Sequence, residues 1–214
     1  MKKVNVLLIV IFSMALTLSA QEIKIGAKAG ANLSSLTGDV DGVKSKIGFH
    51  AGGMVEIPVS GQFYVQPELL FSAQGYKVDS NDAVGTMNYL SLPVIGKYYV
   101  TDNLSIEAGP QIGYLLSANV KIDDDDDDGI IIDQTKLKMS GKKAAAAASS
   151  STKQDTKDYF KSIDFSLGFG LGYKFDLGIN VSARYNLGLS NISDDSEESL
   201  KTSVFMFSIG YYFL

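Results

Sequence analysis

Residues Phe165 to Leu189 read FSLGFGLGYKFDLGINVSARYNLGL. Phe165, Leu167, Phe169, Leu171, Tyr173 and Phe175 alternate with Ser166, Gly168, Gly170, Gly172 and Lys174. After Asp176-Leu177-Gly178 the alternation resumes, with Ile179, Val181, Ala183, Tyr185, Leu187 and Leu189 against Asn180, Ser182, Arg184, Asn186 and Gly188. A period of two belongs to a strand, because successive side chains of extended backbone point to opposite faces. Runs of ten or more alternating residues exceed the usual soluble strand of about five or six. They suit a tilted strand crossing a bilayer in roughly nine to eleven residues. The stretch therefore reads as one hairpin of a membrane β-barrel.

The same pattern recurs on both sides of it. Strands are expected over 23–35, 47–59, 63–78, 88–100 and 104–122 before the hairpin strands 159–175 and 179–189, and a last one carries Phe205, Phe207, Ile209, Tyr211 and Phe213. Pro58, Pro67, Pro93 and Pro110 fall inside these runs, and each is expected to mark a bulge, since proline gives no N–H to a ladder. The connections alternate long and short, which predicts an eight-stranded antiparallel up-and-down transmembrane barrel. Short turns are periplasmic in such barrels and long loops extracellular, so both termini are expected in the periplasm. Phe63, Tyr64, Tyr98, Tyr99, Tyr173, Phe175, Tyr211, Tyr212 and Phe213 gather at the short-turn end, as an interfacial aromatic belt would. A soluble lipocalin-like barrel is the alternative, but it would turn the apolar parity inward and leave the charged parity outside.

Lys2 and Lys3 precede an apolar run from Val6 that closes at Ser19-Ala20, the pattern of a secretory signal peptide over 1–20. An N-terminal anchor is the weaker reading, the run being short for a span of about twenty residues. The barrel domain is then 21–214, with 123–158 as a long extracellular loop of low complexity. The chain has 214 residues, no Cys and a formal charge of −5. Loss of Lys2 and Lys3 makes that charge two units more negative, a poor match to nucleic acid.

Several segments together resemble the PorT-like outer-membrane β-barrel family of the Bacteroidetes. They are Gly26-Ala27-Lys28-Ala29-Gly30-Ala31-Asn32, Gly48-Phe49-His50-Ala51-Gly52, Phe63 to Ser72, Tyr89-Leu90-Ser91-Leu92-Pro93, Gly109 to Tyr114, and Arg184 to Leu189. The resemblance implies an outer-membrane protein that meets lipid, lipopolysaccharide and the barrel-assembly machinery. It assigns no activity. The chain ends Tyr211-Tyr212-Phe213-Leu214, whereas the usual assembly signal ends on the aromatic itself.

His50 is the only histidine. It falls on the inward parity at the expected rim of the second strand, with no Ser two residues on to serve as a nucleophile. It reads as a hydrogen-bonded rim residue. Asp123 to Asp128 offers carboxylates to divalent cations, but a homopolymer lacks the spaced ligands and turn glycine of a calcium loop. Gly168, Gly170 and Gly172 lie at strand spacing and lead into no helix, so they form no phosphate cradle. No catalytic residue, metal site or cofactor is expected. The inward parity does supply Lys28, Glu56, Glu68, Lys97, Glu107 and Arg184, three bases and three acids in a lumen just wide enough for side chains. A turn centred on Asp102 sets Lys97 opposite Glu107, and a hairpin centred on Leu177 sets Arg184 opposite Gly170. These six residues are expected to pair and close the lumen, giving a monomeric structural or interaction-mediating protein. A small pore and a lipid-modifying hydrolase are the alternatives.

Overall fold

A computed structural model describes residues 23–38, 42–78, 83–122, 154–155, 160–193 and 199–213. The expected signal peptide and the Asp123 to Asp128 run lie outside them. So does the expected loop 123–158, apart from residues 154–155.

The strands are β1 Lys24–Gly38, β2 Val43–Ser60, β3 Phe63–Val78, β4 Ala83–Tyr99, β5 Leu104–Ile122, β6 Gln154–Asp155, β7 Ile163–Lys174, β8 Ile179–Gly188 and β9 Leu200–Tyr212. Each long strand pairs antiparallel with its neighbours in sequence, β9 pairs with β1, and β4 with β5, so eight strands close into a barrel. The two-residue β6 extends the outer end of β5. Closure pairs both edges of each of the eight long strands, the condition for spanning hydrocarbon with extended backbone. Two strands start earlier than expected at the loop end, β2 at Val43 and β4 at Ala83, while β7 starts later, at Ile163.

The three short turns lie at one end with Lys24 and Tyr212. Gly61 and Gly178 adopt φ of 54° and 80° there, a left-handed conformation that a side chain resists. Large apolar residues including Phe169, Val181, Leu187, Phe205, Phe207 and Ile209 stay exposed on the outer wall. In water such a surface would aggregate; in a bilayer it is the solvated face.

Three features depart from the expected pattern. First, only Pro58 sits at a register shift, between Pro58 and Ser60. Pro67, Pro93 and Pro110 lie in unbroken registers. Pairing skips from Pro67↔Val94 to Leu70↔Ser91 and resumes unchanged, so a missing N–H interrupts the ladder without inserting a residue. Second, the β4–β5 register shifts between Asn88 and Tyr89, opposite Ser117 and Leu115. That bulge turns Ala118 inward, where unbroken alternation from Glu107 along β5 would place Ser117 and Asn119. Third, Tyr64, Tyr99 and Tyr212 do not join the outer belt. Tyr99 and Tyr212 are buried, and Tyr64 packs edge-on against Tyr99 at 5.0 Å. Phe63, Tyr98, Tyr173, Phe175, Tyr211 and Phe213, of the opposite parity, form the exposed belt.

Candidate functional site: the barrel lumen

Alternation carries Lys28, Glu56, Glu68, Lys97, Glu107 and Arg184 into the lumen from β1, β2, β3, β4, β5 and β8, and all six are buried. Lys28 Nζ donates to Glu68 Oε1 at 3.0 Å. Arg184 forks onto both oxygens of Glu68, at 3.1 and 2.9 Å, and its Nη2 also reaches Glu107 Oε2 at 3.0 Å. Glu107 Oε1 lies 3.6 Å from Lys97 Nζ, which donates to Glu56 Oε2 at 2.8 Å. The result is one continuous chain of opposite charges, three cations balancing three carboxylates.

The remaining barrel strands complete it. Tyr212 of β9 and Tyr99 of β4 donate to Glu56 Oε2 at 3.0 and 2.9 Å. β7 contributes room: a Cβ at Gly172 would sit 2.5 Å from Glu107 Oε1, and one at Gly168 would sit 3.1 Å from Arg184 Cδ. Lys97 faces Glu107 and Arg184 faces Gly170 across their ladders. Gln66 ties the halves of the chain together, donating to Glu68 Oε1 at 2.6 Å and accepting from Lys97 at 3.1 Å, with the Tyr212 hydroxyl shared between Gln66 Oε1, 2.8 Å away, and Glu56. Its place on the inward parity beside Glu68 is the sequence signal for it.

His50 lies above this layer, well inside β2, because that strand begins four residues before its expected start. It is 1% exposed and so is no rim residue. Three acceptors, the carbonyls of Phe49 and Ala73 and Ser72 Oγ, lie 3.0 Å from Asn32 Nδ2 and share its two N–H groups. Two of these partners are acceptor-only, so the amide oxygen of Asn32 must be the group facing His50 Nδ1 at 2.7 Å, and Nδ1 carries the proton. His50 Nε2 then accepts from Ser208 Oγ at 2.8 Å. The order hydroxyl, imidazole, amide is that of an activated nucleophile. Sequence distance hid it, since the three residues come from β9, β2 and β1.

Toward the loop end the lumen changes character. Asp164 accepts from Ser190 Oγ and Thr202 Oγ1 at 2.6 and 2.8 Å. Beyond it Leu36, Tyr76, Met87, Tyr89, Leu115, Ala118, Ile192 and Leu200 pack into one apolar cluster. Ile192 is fully buried although it lies outside any strand. Its N–H donates to Leu200 O at 2.8 Å and its carbonyl accepts from Lys161 N at 2.9 Å, so the backbone of neighbouring segments holds it in the mouth. Among the described residues no group of three or more His, Cys, Asp or Glu could hold a metal ion.

The family described as outer membrane protein beta-barrel domain matches residues 19–194. No curated protein matches the chain in sequence. The fold is similar to that of Ail, the attachment invasion locus protein of Yersinia pestis, solved in complex with the heparin analogue sucrose octasulfate. The TM-score is 0.51 at 15% identity, covering 90% of this chain and 99% of that one. It is also similar to Neisserial surface protein A, with a TM-score of 0.53 at 10% identity, covering 88% and 97%.

Proposed function

Since the chain belongs to the outer membrane protein beta-barrel domain family and is an outer-membrane β-barrel, we propose that it conducts no solute and works through its loop-end surface, as a structural or interaction-mediating protein. The observation that carries this reading is the unbroken chain of paired charges from Lys28 to Glu56, drawn from six of the eight strands. Side chains paired in this way occupy the space a wet path would need, and of the six charged groups Glu56 Oε1 and Arg184 Nε are the atoms left without a hydrogen-bond partner. What is left to meet partners is the outside of the barrel. The signal peptide over 1–20, the periplasmic termini, the monomeric state and the kinship with PorT-like proteins of the Bacteroidetes belong to the same reading. So do contacts with lipopolysaccharide and the barrel-assembly machinery. Efflux of a small sugar from liposomes carrying the protein tests it: the rate should equal that of protein-free vesicles, and faster efflux would favour the small-pore reading.

The Ser208–His50–Asn32 relay favours a second reading, a lipid-modifying hydrolase. Burial weighs against it. His50 is 1% and Ser208 9% exposed, and the charge layer on one side and Leu70, Val204 and Met206 on the other leave no approach for an acyl chain. In the first reading the relay is a polar tie between β1, β2 and β9. A fluorophosphonate probe decides between them: modification of Ser208 in the folded protein would promote the hydrolase.

A further inference from the structure

The outer wall at the loop end carries three lysines on adjacent strands. Lys44 of β2 pairs directly with Lys77 of β3. Their neighbours Val43 and Tyr76 pack into the apolar cluster of the lumen, so alternation turns Lys44 and Lys77 outward, where both are exposed. Cross-strand partners of this kind hold their Cβ atoms about 4.5–5.5 Å apart.

Lys46 joins them through an irregularity in β2 between Ser45 and His50. Thr86 lies between the buried Gly85 and Met87 and so faces outward, and with it its strand partner Gly75, itself covered. A Cβ there would sit 2.9 Å from Lys46 Cδ, so the lysine stem lies over Gly75 on the outer wall. Its Nζ donates to Thr86 Oγ1 of β4 at 2.7 Å, and Thr86 is the strand partner of Gly75. Next along the same wall come Ile47, 75% exposed, and Phe49, 57% exposed, which mark the lipid band. Three lysines thus crown the apolar band where headgroups begin, Lys44 and Lys77 exposed and Lys46 half-buried with its stem along the wall.

We propose that Lys44, Lys46 and Lys77 form a binding site for the phosphate groups of an anionic glycolipid in the outer leaflet. The proposal rests on the reading that the long loops are extracellular. A phosphate takes several charge-assisted hydrogen bonds at once, and a cluster of lysines beside a membrane gains from each of them. The leaflet lipid is favoured over a soluble phosphorylated or sulfated glycan because the cluster is continuous with the lipid-facing wall. Asp39, Asp41, Asp79 and Asp82 flank it in sequence, in segments outside the described residues. Service to those carboxylates alone is the competing role.

The full chain in mild detergent, checked for folding by its heat-modifiable gel mobility, should retain bisphosphorylated lipid A in native mass spectrometry. Combined Lys44→Gln, Lys46→Gln and Lys77→Gln should weaken that retention on the order of tenfold or more, whereas Lys161→Gln with Lys201→Gln should not. Equal retention by the triple variant, or equal retention of dephosphorylated lipid A by the wild type, overturns the site. Displacement by a soluble sulfated oligosaccharide as effective as by the lipid overturns the leaflet assignment. Orientation is read separately, since the chain has no cysteine. An impermeant maleimide on intact cells should label Gly42→Cys and spare Leu177→Cys; the reverse would sink the topology while leaving lipid retention to speak for itself.

Discussion

The two halves of the lumen are filled by opposite means. The short-turn half holds three cations and three carboxylates linked end to end, while the loop half holds Leu36, Tyr76, Met87, Tyr89, Leu115 and Ile192 packed against one another. The charged half is specific: each group has a partner of fixed geometry, and a buried charge left alone is costly. The apolar half is tolerant, because packing asks only for volume and shape. One barrel wall supports both, its alternation reset in the loop half by the shifts at Asn88/Tyr89 and Ser45/His50. The difference between them lies in which side chains the inward parity offers at each height.

The largest effect is therefore expected in the charged half. Arg184→Ala leaves Glu68 to Lys28 and Gln66 and Glu107 to Lys97 at 3.6 Å, one cation short of balance, and should lower stability by about 3–5 kcal/mol, read as an earlier midpoint in urea unfolding of the detergent-folded protein. A loss below about 1 kcal/mol would mean that water already screens the pair.

How far the sequence speaks differs between the same two halves. Lys97 opposite Glu107 and Arg184 opposite Gly170 follow from turn centres at Asp102 and Leu177, because short turns fix register and charge on an inward parity has few explanations. The apolar half was not legible. An inward Leu115 or Met87 looks like a break in the pattern, and the bulge opposite Asn88 and Tyr89 exchanges Ser117 for Ala118 without any residue that announces it. Ile192 belongs to no strand, so no parity could place it. His50, Asn32 and Ser208 each sat on the correct face, but nothing local says that three strands bring them within hydrogen-bond reach.

An intermediate effect is expected in the apolar half, where Leu115→Ala should cost about 2–4 kcal/mol through the cavity it leaves. Leu115→Met should cost under about 1.5 kcal/mol, measured in the same urea titration. A Met variant as unstable as the Ala variant would make this half as specific as the charged one. The smallest effect belongs between the halves. Ser208→Ala removes one hydrogen bond to His50 and should cost about 0.5–1.5 kcal/mol, with the barrel's gel mobility unchanged. Failure to fold would give the relay a structural weight beyond one bond.

Planar-bilayer recording most directly tests whether these two fillings close the lumen. Wild-type protein should give no steady single-channel steps, and Arg184→Ala or Glu107→Ala should add at most brief, irregular openings, since the cluster around Ile192 still fills the mouth. Steady currents from the wild type, unchanged in both variants, would contradict the closed lumen and make the barrel a pore.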